Sequence, residues 1–191
     1  DGYYWLAESL YALKDYNGAI AAYQKVEKIA PEYQYADYVQ YSLGCAYFDL
    51  GKYALALSPL ERVIKDYPNS ALIAYAHNKL GEAQYKLGKY SEALEQFNYL
   101  KTNYKEGDFL ADIQYWSGES FFNLNKFTEA VEVLNKFVAT YPKNPLMPLA
   151  YAKLAWSNLQ LKNYKAAKEG YTKGIEFDAK NAKVREAIPS I

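Results

Sequence analysis

The sequence is poor in the side chains that do chemistry. Its 191 residues include one cysteine, Cys45, one histidine, His77, and one methionine. A lone cysteine excludes an intrachain disulfide and a thiolate metal site. One His and one Cys make no zinc-type cluster. Net charge is also missing, because 22 basic and 22 acidic residues cancel. Phosphate backbones and anionic lipid surfaces need a net cationic face, so this balance argues against nucleic-acid and membrane-surface partners. No apolar run approaches the roughly 18 residues that read as a membrane span. Glycine forms no phosphate-cradling loop. The sequence therefore predicts no catalytic residue, no metal and no cofactor.

Repetition and tyrosine are abundant instead: 22 tyrosines account for most of the 17% aromatic content. A small residue recurs at Ala7, Gly44, Gly81, Gly118 and Ala155, a step of 37 residues. An aromatic keeps the same step at Tyr16, Tyr53, Tyr90, Phe127 and Tyr164, and an alanine at 19, 56, 93, 130 and 167. Leu13, Leu50, Leu87, Leu124 and Leu161 form a fourth column. Chance does not hold four columns in register over five periods. A Gly or Ala lets two helices approach closely, and the aromatic beyond the turn fills the gap between them.

Apolar spacing of three and four residues predicts paired helices. First helices are expected near 3–14, 34–50, 70–87, 108–124 and 146–161. Second helices are expected near 16–29, 53–66, 90–103, 127–140 and 164–177. Gly51, Gly88 and Asn125 suit a left-handed helix end. Pro31, Pro68 and Pro142 stop second helices. Asn144-Pro145 reads as a helix cap followed by the first helical residue, with Pro148 still in the first turn. Pro59 falls inside a second helix, where a local bend is expected.

These columns resemble the tetratricopeptide repeat. Leu43, Gly44, Tyr47, Tyr53, Ala56, Leu60 and Pro68 follow that family's pattern, and the resemblance covers nearly the whole chain. It implies an all-α, right-handed α-solenoid of five tandem helix–turn–helix repeats with first helices lining a concave face. The repeats are read as 1–33, 34–69, 70–106, 107–143 and 144–180, a single array over 1–191. Residues 181–191 read as the start of a truncated or capping helix, and the broken ends read as a fragment of a longer chain. The period exceeds the family's usual 34 by three residues. Connectors such as Tyr67-Pro68-Asn69-Ser70 and Tyr141-Pro142-Lys143-Asn144 are similar to those of bacterial envelope tetratricopeptide proteins. Those include outer-membrane β-barrel assembly lipoproteins and periplasmic cell-division coordinators. That similarity points to the periplasm or outer membrane and leaves the cytoplasm open. Gln84 and Asn158 replace an expected aromatic, so their pairs should pack less tightly.

By register, three columns of first-helix residues share one face. They are Tyr11, Phe48, Tyr85, Phe122 and Leu159; Glu8, Cys45, Glu82, Glu119 and Trp156; and Tyr4, Tyr41, Asn78, Tyr115 and Ala152. They predict an aromatic ladder flanked by glutamates, a groove for an extended or helical segment with apolar and basic side chains. The plainer reading is packing tyrosines and a solvated glutamate face. The family's carboxylate clamp is missing, because Tyr4, Glu8, Tyr41, Ser42, Tyr75 and Lys79 stand at the inward positions. His77 reads as a packed structural histidine and Cys45 as an inert thiol. The expected function is a non-enzymatic scaffold or adaptor binding a protein or peptide segment. A glycan- or peptidoglycan-binding module and self-assembly through the terminal pairs remain alternatives, and the oligomeric state stays open.

Overall fold

The computed structural model describes residues 2–177. The expected helix at 181–191 lies outside the described residues. Those residues form ten α-helices in five antiparallel pairs and no strand. The first helices are α1 (Gly2–Ala12), α3 (Ala36–Asp49), α5 (Ile73–Lys86), α7 (Leu110–Asn123) and α9 (Met147–Gln160). The second helices are α2 (Tyr16–Ile29), α4 (Tyr53–Asp66), α6 (Tyr90–Asn103), α8 (Phe127–Thr140) and α10 (Tyr164–Phe177). The 37-residue period is thus the spacing of the helix pairs.

The chain forms two compact units, Asp1–Tyr104 and Lys105–Ile191. In the first unit each helix packs on the next, and α3 also touches α1 and α5. In the second, α7 to α10 pack in the same serial way and α7 touches α9. Each unit is therefore a short stack with its first helices side by side.

The small column sets how closely the helices of a pair approach. Sixteen residues after each of its members comes a large side chain, at Tyr23, Leu60, Phe97, Leu134 and Tyr171, all buried. A Cβ on Gly44 would stand 2.6 Å from Leu60 Cγ, one on Gly81 2.6 Å from Phe97 Cε1, and one on Gly118 2.6 Å from Leu134 Cδ2. Real Cβ contacts never come so close, so these three large side chains occupy the volume that glycine leaves free. The alanine column is buried at all five positions. Burial of each large side chain contributes roughly 1.5–3 kcal/mol.

Every intra-pair turn has one geometry. Lys14, Gly51, Gly88, Asn125 and Lys162 all have positive φ, between 59° and 75°. The next residue's amide reaches back five residues: Asp15 to Leu10, Lys52 to Tyr47, Lys89 to Gln84, Lys126 to Phe121 and Asn163 to Asn158, at 2.8–2.9 Å. This is the Schellman ending, and it satisfies carbonyls that the first helix leaves open. The sequence points to it at Gly51, Gly88 and Asn125. At Lys14 and Lys162 the repeat imposes the same backbone on a residue with no preference for it.

The second helices match their expected bounds, whereas α3, α5 and α7 begin two to three residues later than expected and α9 one residue later. The reason is an extra turn ahead of them. The Leu72 amide donates to Ser70 Oγ at 3.1 Å, and the Leu146 amide donates to Asn144 Oδ1 at 2.8 Å. Asn144 therefore caps that turn rather than α9, and Pro145 lies in the turn, which corrects the expected cap-and-first-residue reading. Pro148 does lie in the first turn of α9. The helix α4 runs unbroken through buried Pro59.

Gly81→Ala should lower stability by about 1–3 kcal/mol, because fully buried Phe97 cannot move aside. Chemical denaturation with an unchanged m-value is the check, and a midpoint equal to that of the parent chain would contradict the packing account.

Candidate functional site: the faces of the first helices

The aromatic column on the first helices is partly committed to the turns. Tyr11 meets Tyr16 edge-on at 5.5 Å, Phe48 meets Tyr53 at 5.1 Å, Tyr85 meets Tyr90 at 5.4 Å, and Phe122 meets Phe127 at 5.7 Å. Each ring thus braces the start of its partner helix by an edge-to-face contact and stays half-buried. The fifth pair has Leu159 in this column, and Tyr164, which no ring braces, is 65% exposed.

The glutamate column is not a free acidic rim. Glu119 is only 4% exposed, takes the Tyr115 hydroxyl on Oε1 at 2.7 Å, and pairs with Lys153 Nζ through Oε2 at 3.2 Å. Glu82 takes the Asn78 amide on Oε1 at 3.0 Å and the Lys79 ammonium on Oε2 at 2.9 Å. Glu8 takes the Tyr23 hydroxyl at 2.6 Å and the Ser42 hydroxyl at 3.2 Å, both on Oε1. The expected solvated glutamate face is therefore corrected at Glu119, where burial demands a hydrogen-bonded counter-ion. Lys79 Nζ stands 4.5 Å from the Phe48 ring centroid, and Lys153 Nζ 4.5 Å from that of Phe122. The two lysines are 74 residues, or two repeats, apart and occupy the same place over the same aromatic column.

The third column divides. Tyr4 is buried and stacks on Tyr35 at 5.8 Å. Tyr115 is buried against Phe137 at 5.7 Å. These two rings serve packing rather than presentation. Tyr41 is half-buried, and burial, then Cys45, pushes its phenol pKa up. Asn78 is half-buried, and its Oδ1 has no hydrogen-bond partner. Trp156 is partly exposed and lies edge-on to Phe122 at 6.3 Å. Of the residues expected in the groove, Glu8, Tyr11, Tyr41, Phe48, Asn78, Glu82 and Tyr85 lie on first helices of the first unit, and Phe122 and Trp156 on those of the second.

Sequence reasoning missed how the lysines act and how open Tyr38 and Tyr75 are. Both tyrosines are exposed on first helices, Tyr75 at 50%. Their shared step of 37 residues was the available signal.

Cys45 is buried, and desolvation pushes its thiol up to about 11. His77 is buried, stacks on Tyr99 at 3.9 Å, and has Nδ1 2.8 Å from Gln96 Oε1. Among the described residues no group of three His, Cys, Asp or Glu side chains could hold a metal ion. No described helix is long and apolar enough to cross a membrane. Gln84 and Asn158 are both buried. Beside Asn158 lies a cleft of about 210 Å³ between α8, α9 and α10, also lined by Tyr151, Leu154 and Gly170.

The family models that match this chain all describe one repeat, the tetratricopeptide repeat. They match residues 1–33, 41–108, 112–144 and 149–181. The chain belongs to the tetratricopeptide repeat family. Among solved structures it is similar to a crystal structure of MamA protein, with 23% identity and a TM-score of 0.78 over 95% of this chain and 92% of that one. It is similar also to MamA 41-end from Desulfovibrio magneticus RS-1, with 19% identity and a TM-score of 0.79 over 94% of this chain and 95% of that one. At such identities the likeness shows the fold. No curated protein matches.

Burial lowers the His77 pKa, with the Gln96 contact opposing. The unfolded chain therefore binds the proton more readily, so this contribution is fully present above the unfolded value of about 6.5 and is lost as pH falls from there through the lower folded value. Thermal melts between pH 7.5 and 5.5 should show a fall in Tm that is smaller in His77→Gln. Identical pH slopes would contradict the assignment.

Proposed function

We propose that the protein is a non-enzymatic scaffold that binds a protein or peptide segment on the faces of its first helices. The observation that carries this reading is the contrast between buried packing columns and the solvent exposure of Tyr38 and Tyr75. Aromatic side chains supply large contact area at small entropic cost and mark binding hot spots. On the same helices, the half-buried rings of Tyr11, Phe48 and Tyr85 are held in place by the turns, and Tyr41 is half-buried as well. A scaffold of rigid helix pairs suits this role, because a preformed surface loses little freedom on binding. The similarity of the connectors to those of bacterial envelope proteins makes an envelope complex the setting in which to look for the partner.

Charge reversal at Glu119 is a poor probe, since it would leave Lys153 facing a buried like charge. A photo-crosslinking side chain placed at Tyr75 on α5, or at Tyr99 on α6, separates the first-helix face from the second-helix face. Both tyrosines are exposed. Crosslinks to another protein are expected from position 75 and not from position 99, read by mass spectrometry in the source cell. Equal labelling at the two positions would refute the placement, and crosslinks to glycan alone would favour a sugar-binding module.

A further inference from the structure

We propose that Glu8, Tyr11 and Asp49 receive a lysine ammonium from the bound partner, at the place that a lysine of the chain itself fills elsewhere. This rests on the scaffold reading and names the chemistry of the partner at one point.

Two junctions of the same kind differ at the lysine. Between the fourth and fifth pairs, Glu119 and Phe122 on α7 receive Lys153 from α9. The ammonium is 3.2 Å from Glu119 Oε2 and 4.5 Å from the Phe122 ring centroid. Three repeats earlier, Glu8 and Tyr11 occupy the Glu119 and Phe122 positions on α1. The residue of α3 that corresponds to Lys153 is Ser42. Its hydroxyl reaches Glu8, but serine carries no charge and is too short to cover the ring.

Two carboxylates of this column use both oxygens. Glu119 takes the Tyr115 hydroxyl and the ammonium of Lys153 from the next pair, and Glu82 takes the Asn78 amide and the ammonium of Lys79 on its own helix. Glu8 takes two hydroxyls on Oε1, from Tyr23 and Ser42, and among the described residues Oε2 takes no hydrogen bond. At the far edge of the Tyr11 ring, its hydroxyl donates to Asp49, an exposed carboxylate. Glu8 and the Tyr11 ring thus stand at the positions where Glu119 and Phe122 hold an ammonium, and Asp49 adds a second carboxylate at the edge of that ring. Glu8, Tyr11 and Ser42 are half-buried, so the place is partly desolvated yet open to solvent. A cation binds such an environment through a charge-assisted hydrogen bond and the ring face together.

The test is an NMR titration of the intact chain, carrying ¹³C-labelled glutamate, with N-acetyl-lysine methylamide. Glu8→Gln assigns the Glu8 carboxylate signal. A saturable shift of that signal is expected, at least about tenfold weaker with the uncharged norleucine analogue. Ser42→Lys should abolish the shift, because the chain's own ammonium then fills the place. Circular dichroism confirms that both variants keep the parent helix content. A silent Glu8 signal, an equal response to norleucine, or a shift that survives Ser42→Lys would each overturn the proposal. N-acetyl-arginine methylamide binding as tightly would overturn the choice of an ammonium. A missing crosslink at Tyr75 with an intact Glu8 titration contradicts the scaffold role alone. A silent Glu8 with an intact crosslink contradicts the ammonium place alone.

Discussion

Three glycines face three large buried side chains at distances that no Cβ could share. The rest of the structure depends on that fit. Gly44 against Leu60, Gly81 against Phe97 and Gly118 against Leu134 set the separation of the two helices in a pair. That separation brings the alanine column into full burial, and it puts the turn aromatic within reach of the first-helix ring. The Schellman turn fixes where the second helix begins, which keeps the register the same from pair to pair. A shift of one residue in either helix would turn these columns away from one another.

The same constraint separates the helix faces by role. Residues turned toward the partner helix are used up by packing. Residues turned away on the first helices are free to differ between repeats, and they do. The column of Trp5, Ser42, Lys79, Trp116 and Lys153 holds five side chains of three different kinds. Where it holds lysine, a carboxylate and an aromatic ring are satisfied within the chain. Where it holds serine, the carboxylate keeps an unused oxygen. Variation on a fixed frame is how a repeat protein acquires specificity without altering its fold.

Much of the fold was legible in the sequence, because the repeat reports the same packing requirement five times. The second helices could be bounded at both ends, since a left-handed turn precedes each one and proline follows three of them. The starts of the first helices could not. Asn144 looks like a helix cap and Ser70 like the start of its helix, but both serve a turn ahead of the helix, and local spacing does not separate the two uses. The left-handed backbone at Lys14 and Lys162 was hidden because lysine carries no signal for it; only the column did. For the candidate face, register put the Tyr11, Phe48, Tyr85 and Phe122 rings at equivalent positions of their helices, but it could not show that Tyr4 and Tyr115 are buried. It also misjudged Glu119, because a glutamate in a polar-looking column gives no sign that a lysine from the next pair will cover it.

The measurement closest to the central claim is native-state hydrogen exchange along the chain. If the glycine interlock governs each unit, amides within one turn of Gly44, Gly81 and Gly118, and of Leu60, Phe97 and Leu134, should exchange only through the largest opening of their unit. Connector amides should exchange orders of magnitude faster. Interlock amides that exchange as fast as the connectors would contradict the account.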